Sequence, residues 1–310
     1  MRIANSSMIR NNMYDNQENL QRTDKLNRQI STGKVINKVS DDPYKAIKIM
    51  NLKNEIKYTE KYSYNIDEAV GWMNNTDSSL EEVGTVLGDI KDEIIKLGNG
   101  TYSAEEMKSI RAEMNEKIKE LGETLNSSHG GNHMFGGSDV EDLPIIIEEK
   151  DGVAKLTLNS KSNSQDLKAI ISEGIDIDYN VSAKELLNKD GKNLLESINK
   201  LSTAMNDIVN GKDVETNKAQ VLGTIKDDID TLFNHSVDIR TSFGVKVNTA
   251  EKIKELNDEN IMNMKDVLSL TQDTDKVSAY IELKSAELIY QMSVQVGSRL
   301  IQPSIMDYLK

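Results

Sequence analysis

Across 310 residues the chain carries 38 Lys and Arg against 51 Asp and Glu, a formal net charge of −13 at a mean hydropathy of −0.53. That balance argues against nucleic acid, since no basic stripe exists to displace counterions from phosphates, and no apolar run approaches the ~18 residues that membrane insertion needs. Cysteine is absent, which removes disulfides, thiolate metal sites and cysteine nucleophiles together.

The opening residues lack the apolar centre of a cleavable signal peptide, so export would need a route that reads none. With only 3 Pro, helices can run well beyond the usual three turns. Asn is abundant at 30 residues.

The first segment, 3–32, has helical periodicity in Ile9, Met13, Leu20, Leu26 and Ile30, but Asn16, Thr23 and Asn27 dilute the stripe. Such a helix buries too little to stand alone. Gly33 supplies a C-terminal cap and Pro43 a stop, so 33–43 is expected to be a loop. Asp41 and Asp42 then precede a helix that opens with Pro43 in its first turn.

From Tyr44 to about Leu97, Ile66, Val70, Met73, Leu80, Leu87, Ile90 and Ile94 recur at three-to-four spacing, and Gly98 and Gly100 close the helix. A second helix over 103–126 begins with Ser103 and Glu106 at capping-box spacing and should pair antiparallel with the first.

Residues 127–138 are rich in glycine and break the pattern. The apolar runs around Asp151-Gly152 predict a hairpin, and the alternation over 175–181 predicts another strand. Segment 138–190 holds 12 acidic and 6 basic residues and is expected to face solvent. Helix resumes at Leu194, Ile198, Leu201, Met205 and Ile208. After Gly211 the run Leu222, Ile225, Ile229, Leu232, Ser236, Ile239, Phe243 predicts one helix of some 50 residues, about 75 Å long. The last segment, 274–302, places Val277, Ile281, Leu288, Met292 and Val296 on one face before Pro303. The two diluted terminal helices are natural partners for each other and for neighbouring copies.

The fold expected is mainly α: a long antiparallel helical rod, coiled-coil-like, with paired terminal helices and a small β-rich insert domain. The divisions are 1–43 with 265–310 for polymerisation, 44–137 with 191–264 for the rod, and 138–190 for an outward insert.

Candidate chemistry is thin. His129 and His133 have ligand spacing but flank Gly130 and Gly131, and His235 stands alone. Asp176 and Asp178 lack the glycine and distal Glu of a calcium loop. Gly84, Gly88 and Gly122 lie within helices and cradle no phosphate. Glycosylation triplets begin at Asn5, Asn126 and Asn180, a pattern common by chance. The reading is therefore no enzyme, with no catalytic residue, metal or cofactor.

The run from Leu26 through Gly33, Asn37, Asp41 and Asp42 to Pro43 resembles the amino-terminal pattern of the bacterial flagellin superfamily over nearly its whole length. Pro43 after the Asp pair, Met134-Phe135-Gly136-Gly137-Ser138, and the ending with Ser304, Tyr308 and Leu309 are similar to the superfamily's hook–filament junction branch, with flagellin or a minor filament subunit as the alternative. The resemblance covers about 1–140 and 235–310.

It implies a secreted structural subunit of the flagellum that self-assembles axially as an adaptor between hook and filament. Its termini would line the inner tube, unfolded in the free subunit and ordered on assembly. The implied partners are further copies of the chain, a neighbouring hook-associated protein, flagellin, and an export chaperone on the C-terminal segment. Type III export is implied as the route, with no nucleic acid and no membrane insertion. The assembly faces are Ile9, Met13, Leu20, Leu26 and Ile30 on the first helix and Val277, Ile281, Leu288, Met292 and Val296 on the last.

Overall fold

A computed structural model describes residues 2–100, 102–161, 165–189 and 191–301; of 2–6, 99, 300 and 301 only the backbone is described. The expected Ser304, Tyr308 and Leu309 lie outside the described residues. In chain order the elements are α1 (Arg2–Thr32), α2 (Pro43–Asn99), α3 (Ala104–Leu125), β1 (Ser128–His129), β2 (Asn132–His133), β3 (Ile145–Lys150) and β4 (Val153–Leu158). There follow β5 (Lys168–Ser172), β6 (Ile175–Asp178), α4 (Ala183–Leu186), β7 (Asn188–Lys189), β8 (Lys192–Asn193), α5 (Leu194–Val209), α6 (Val214–Gln220), α7 (Lys226–Gln272) and α8 (Lys276–Ile301). The fold is mainly α, with long antiparallel helices and small antiparallel strand pairs. The chain packs as two units, 60–258 and 1–59 with 259–310.

Within 60–258 the heptad pattern does what its spacing demands. Lys117 reaches Asp89 at 2.8 Å and the Ser127 hydroxyl donates to that of Ser79 at 3.1 Å, which makes α3 antiparallel to α2. Arg240 pairs with Asp77 and Glu81, Lys91 with Asp230, and the Ser63 hydroxyl donates to Asp258, so α7 runs antiparallel to α2 in constant register. Leu80, Leu87, Ile90, Ile94, Ile118, Leu121 and Leu125 are buried between them. The capping box forms as expected: the Ser103 side chain accepts from the Glu106 N–H, and the Glu106 carboxylate from the Ser103 N–H. The long helix is 47 residues, entered through a π-helical turn at Val221–Ile225.

The hairpin turn at Asp151-Gly152 has positive φ at both residues, 54° and 76°, as the twist-matched two-residue turn requires. Strand β6 stops at Asp178, short of the 181 expected. The hairpins also differ from the expectation of solvent-facing strands. Ile145, Ala154 and Leu156 lie in the same core as α3 and α5, and Ile171 packs with Ile66 and Ala250. Alternation places one face of each hairpin inward, so only the other can be wet.

Each pair has only two strands, a structure marginal by itself, and asparagines complete the edges. Asn126 exchanges two hydrogen bonds with the backbone of Ile145, at 2.8 and 2.9 Å, on β3. Asn199 does the same for Leu156 on β4, both at 2.8 Å, and Asn65 and Asn257 donate to the carbonyls of Ile170 and Ile171 on β5. A carboxamide offers one donor side and one acceptor side, as a neighbouring strand would. Part of the Asn abundance is thereby accounted for.

Candidate assembly surface

The loop after α1 is tied by backbone pairing to the end of α7 and the residues that follow it. Val35 N–H donates to Gln272 O at 2.7 Å and Thr274 N–H to Gly33 O at 2.9 Å, around a bridge between Lys34 and Asp273. Gly33 has φ of 70°, the left-handed cap that a side chain would strain. Asp41 accepts from the N–H groups of Lys38 and Asn37 at 2.9 and 3.1 Å, while the Asn37 carboxamide donates to Lys34 O. Those backbone bonds hold the Asp41 carboxyl below its ordinary pKa, with Lys25 and Lys38 adding to the effect. Asp42 accepts from Lys45 N–H at 3.1 Å and caps α2, where Pro43 takes the first position. Each residue of the sequence pattern 33–43 singled out above thus has a backbone task. Asp275 plays the matching part for α8: its side chain accepts from Ser278 Oγ–H and from the N–H groups of Ser278 and Val277, which lowers its pKa.

The terminal helices pair, on α1 by a face that includes the expected Ile9, Leu26 and Ile30, and on α8 by a face the sequence did not suggest. The α1 seam is Ile9, Asn12, Asn16, Asn19, Thr23, Leu26 and Ile30, of which only Leu26 is buried and the rest are half-buried. On α8 it is Ala279, Leu283, Ala286, Tyr290, Ser293 and Gly297. Both follow alternating three-and-four spacing, as a two-helix seam must, but with polar or small residues at most positions. A Cβ on Gly297 would come within 2.4 Å of Asn12 Oδ1, so glycine lets the backbones approach there. Asn16 Nδ2 donates to Asn12 Oδ1 at 3.1 Å, while Asn16 Oδ1 is buried without a partner.

Of the expected assembly residues, Ile9, Leu26 and Ile30 are in this seam, Leu26 buried with Leu283 and Ala286 and the other two half-buried. Val277, Ile281, Leu288, Met292 and Val296 lie on the opposite side of α8, 52% to 70% exposed. Met13 and Leu20 on α1 are 63% and 52% exposed, about a quarter-turn from its seam. The five α8 side chains line one side of that helix, and no described residue covers them. What the reading missed is the α8 side of the seam, because a row of small and polar residues leaves little hydrophobic signature.

The candidate metal residues do not converge. His133 Nδ1 lies 2.8 Å from Asn126 O and His235 Nδ1 3.0 Å from Leu186 O, while His129 is exposed on β1. Among the described residues no group of three or more potential ligands meets, and no helix is long and apolar enough to cross a membrane.

A family profile, bacterial flagellin N-terminal helical region, matches residues 3–139. Flagellar hook-associated protein 3 of Salmonella typhimurium is 23% identical, over 92% of this chain and 93% of its own length. The flagellar filament 41 kDa core protein of Borreliella burgdorferi is 30% identical but over only 47% of this chain and 43% of its own. Among solved structures, hook-associated protein-3 of Legionella pneumophila superposes at a TM-score of 0.61 with 12% identity, covering 71% of this chain and 98% of that one. The likeness to the hook-associated protein thus runs nearly the length of the chain, whereas the likeness to that filament protein takes in about half. Residues 3–139 thus carry a flagellin N-terminal helical region, and over 92% of its length the chain is similar to a flagellar hook-associated protein 3.

Proposed function

We propose that this chain is a structural subunit of the bacterial flagellum, an adaptor that joins hook to filament by axial self-assembly. The observation that carries the assembly step is the apolar stripe of α8, which faces away from α1 and has no cover among the described residues. Large apolar side chains aligned on a helix favour burial by about 1.5–3 kcal/mol each, and head-to-tail contact with further copies supplies that burial in a helical lattice. The thin seam with α1 fits the same role. Two leucines and two alanines at its centre offset little of the entropy of ordering two long helices, so the termini gain order as neighbours cover the stripe.

The division into terminal helices for polymerisation (1–43 with 265–310), a middle rod and an outward 138–190 segment belongs to this reading. So do extracellular placement by type III export, a chaperone that shields the C-terminal segment before assembly, and contacts with a neighbouring hook-associated protein on one side and flagellin on the other. The role is mechanical, without a catalytic step.

Immunogold electron microscopy on intact cells, with antibody against residues 140–189, tests it. Gold in a narrow band where hook meets filament is the expected result. Gold along the whole filament makes the chain a filament subunit, and gold confined to the cytoplasm overturns both readings.

A further inference from the structure

Beside the 33–43 loop lies an open cleft of about 400 Å³ that the backbone pairing just described leaves unfilled. Its walls include Ile36 and Val39, its rim carries Lys34, Lys38 and Lys53, and Gln272 closes one side. All three lysines are exposed and none forms an ion pair among the described residues. Gln272 is 7% exposed, and its side-chain oxygen is buried with no hydrogen-bond partner.

Charge is divided unevenly along this acidic chain. Residues 1–59 and 259–310 hold 16 Lys and Arg against 13 Asp and Glu, whereas 60–258 hold 22 against 38. Copies of such a chain attract one another most where the basic part of one meets the acidic part of the next, and repel when like parts meet.

We propose that the lysine-rimmed cleft is a docking site for the acidic 60–258 region of a second copy of this chain. The lysines take carboxylates at the rim, and an apolar side chain of the incoming copy covers Ile36 and Val39. The contact selects which surfaces meet, and the α8 stripe supplies most of the burial. This rests on the self-assembly reading above.

The test uses full-length chain, an equal mixture of unlabelled and 15N-labelled protein, assembled at high concentration or on isolated hooks. Carbodiimide then joins lysines to carboxylates in direct contact, and mass spectrometry locates the links. The expected result is mixed-isotope links from Lys34, Lys38 or Lys53 to Asp or Glu within 60–258. In parallel, Lys38→Glu with Lys53→Glu should cut assembly about tenfold at low salt with helical content unchanged. Lys38→Gln with Lys53→Gln should cut it less, and both deficits should shrink as salt screens the contact. Links from these lysines only within one copy, or only to 1–59 and 259–310, overturn the proposal. So does undiminished assembly of the double Glu variant. A wild-type chain that stays monomeric under every condition defeats the self-assembly reading and this inference together, whereas assembly with these lysines joined elsewhere defeats this inference alone.

Discussion

The two units are built from the same kind of element and held by opposite kinds of seam. In 60–258, helices α2, α3 and α7 meet through Leu80, Ile90, Ile118, Leu121 and Leu232, buried to 1% exposure or less. In the other unit, α1 and α8 meet through Asn12, Asn16, Thr23, Ser293 and Gly297, while Val277, Ile281 and Met292 face out. Heptad spacing is common to both; what differs is where the apolar side chains point. A unit that buries its apolar stripe internally is stable as a monomer. One that presents the stripe keeps its main source of burial for a neighbour.

The sharpest way to break this contrast is to charge the outward stripe. Ile281→Asp with Met292→Asp removes two burials of about 1.5–3 kcal/mol each, so assembly should fall on the order of 100-fold or more. Thermal unfolding of the 60–258 unit should not move. Sedimentation velocity and circular dichroism read the two arms, and a joint loss of both would mean the stripe is part of the monomer's own stability.

The reverse case is Leu121→Ala, which opens a cavity in the internal core and should cost about 2–5 kcal/mol. The midpoint of thermal unfolding should drop accordingly, and the protein that remains folded at low temperature should still assemble. An unchanged midpoint would show that α3 is not integral to that core.

Asn199→Leu probes the carboxamide edges. It leaves the N–H and C=O of Leu156 without their partner, at a cost of about 1–3 kcal/mol. Faster amide exchange at Leu156 than at Ala154, whose N–H donates to Ser202 Oγ, is the specific signature. Uniform acceleration across the hairpin would point to general loosening instead.

The smallest effect is expected at the 33–43 loop. Asp41 has a folded pKa below its unfolded one, so its contribution is present above the ordinary carboxylate value of about 4 and is lost as pH falls through the folded value. Amide protection at Asn37 and Lys38 should hold from neutral pH down to about 4 and decline below it. Asp41→Asn should abolish that decline, and a decline that persists in the variant would assign it to another carboxylate.

Much of this was legible beforehand. The Ser103 and Glu106 spacing, the Asp151-Gly152 turn and the three-to-four recurrence from Ile66 to Ile94 are local patterns whose chemistry acts within a few residues, so they needed no partner to be read. The signature from Gly33 to Pro43 was equally plain, although its purpose, a backbone lock between the ends of α1 and α7, required Val35 and Gln272 to be seen together. The insert read as solvent-facing because its charge was counted and the inward side of each strand was not.

By itself, then, the sequence determined where helices begin and end, which positions on each are apolar, and which family's terminal pattern the chain carries. Periodicity and capping are properties of one segment at a time. Tertiary structure decided which face of α8 meets α1, which asparagines stand in for missing strands, and that the lysines at 34, 38 and 53 ring one cleft. Those outcomes depend on pairs of segments far apart in the chain, and polar or small residues at a seam carry no hydrophobic period by which their partner could be foretold.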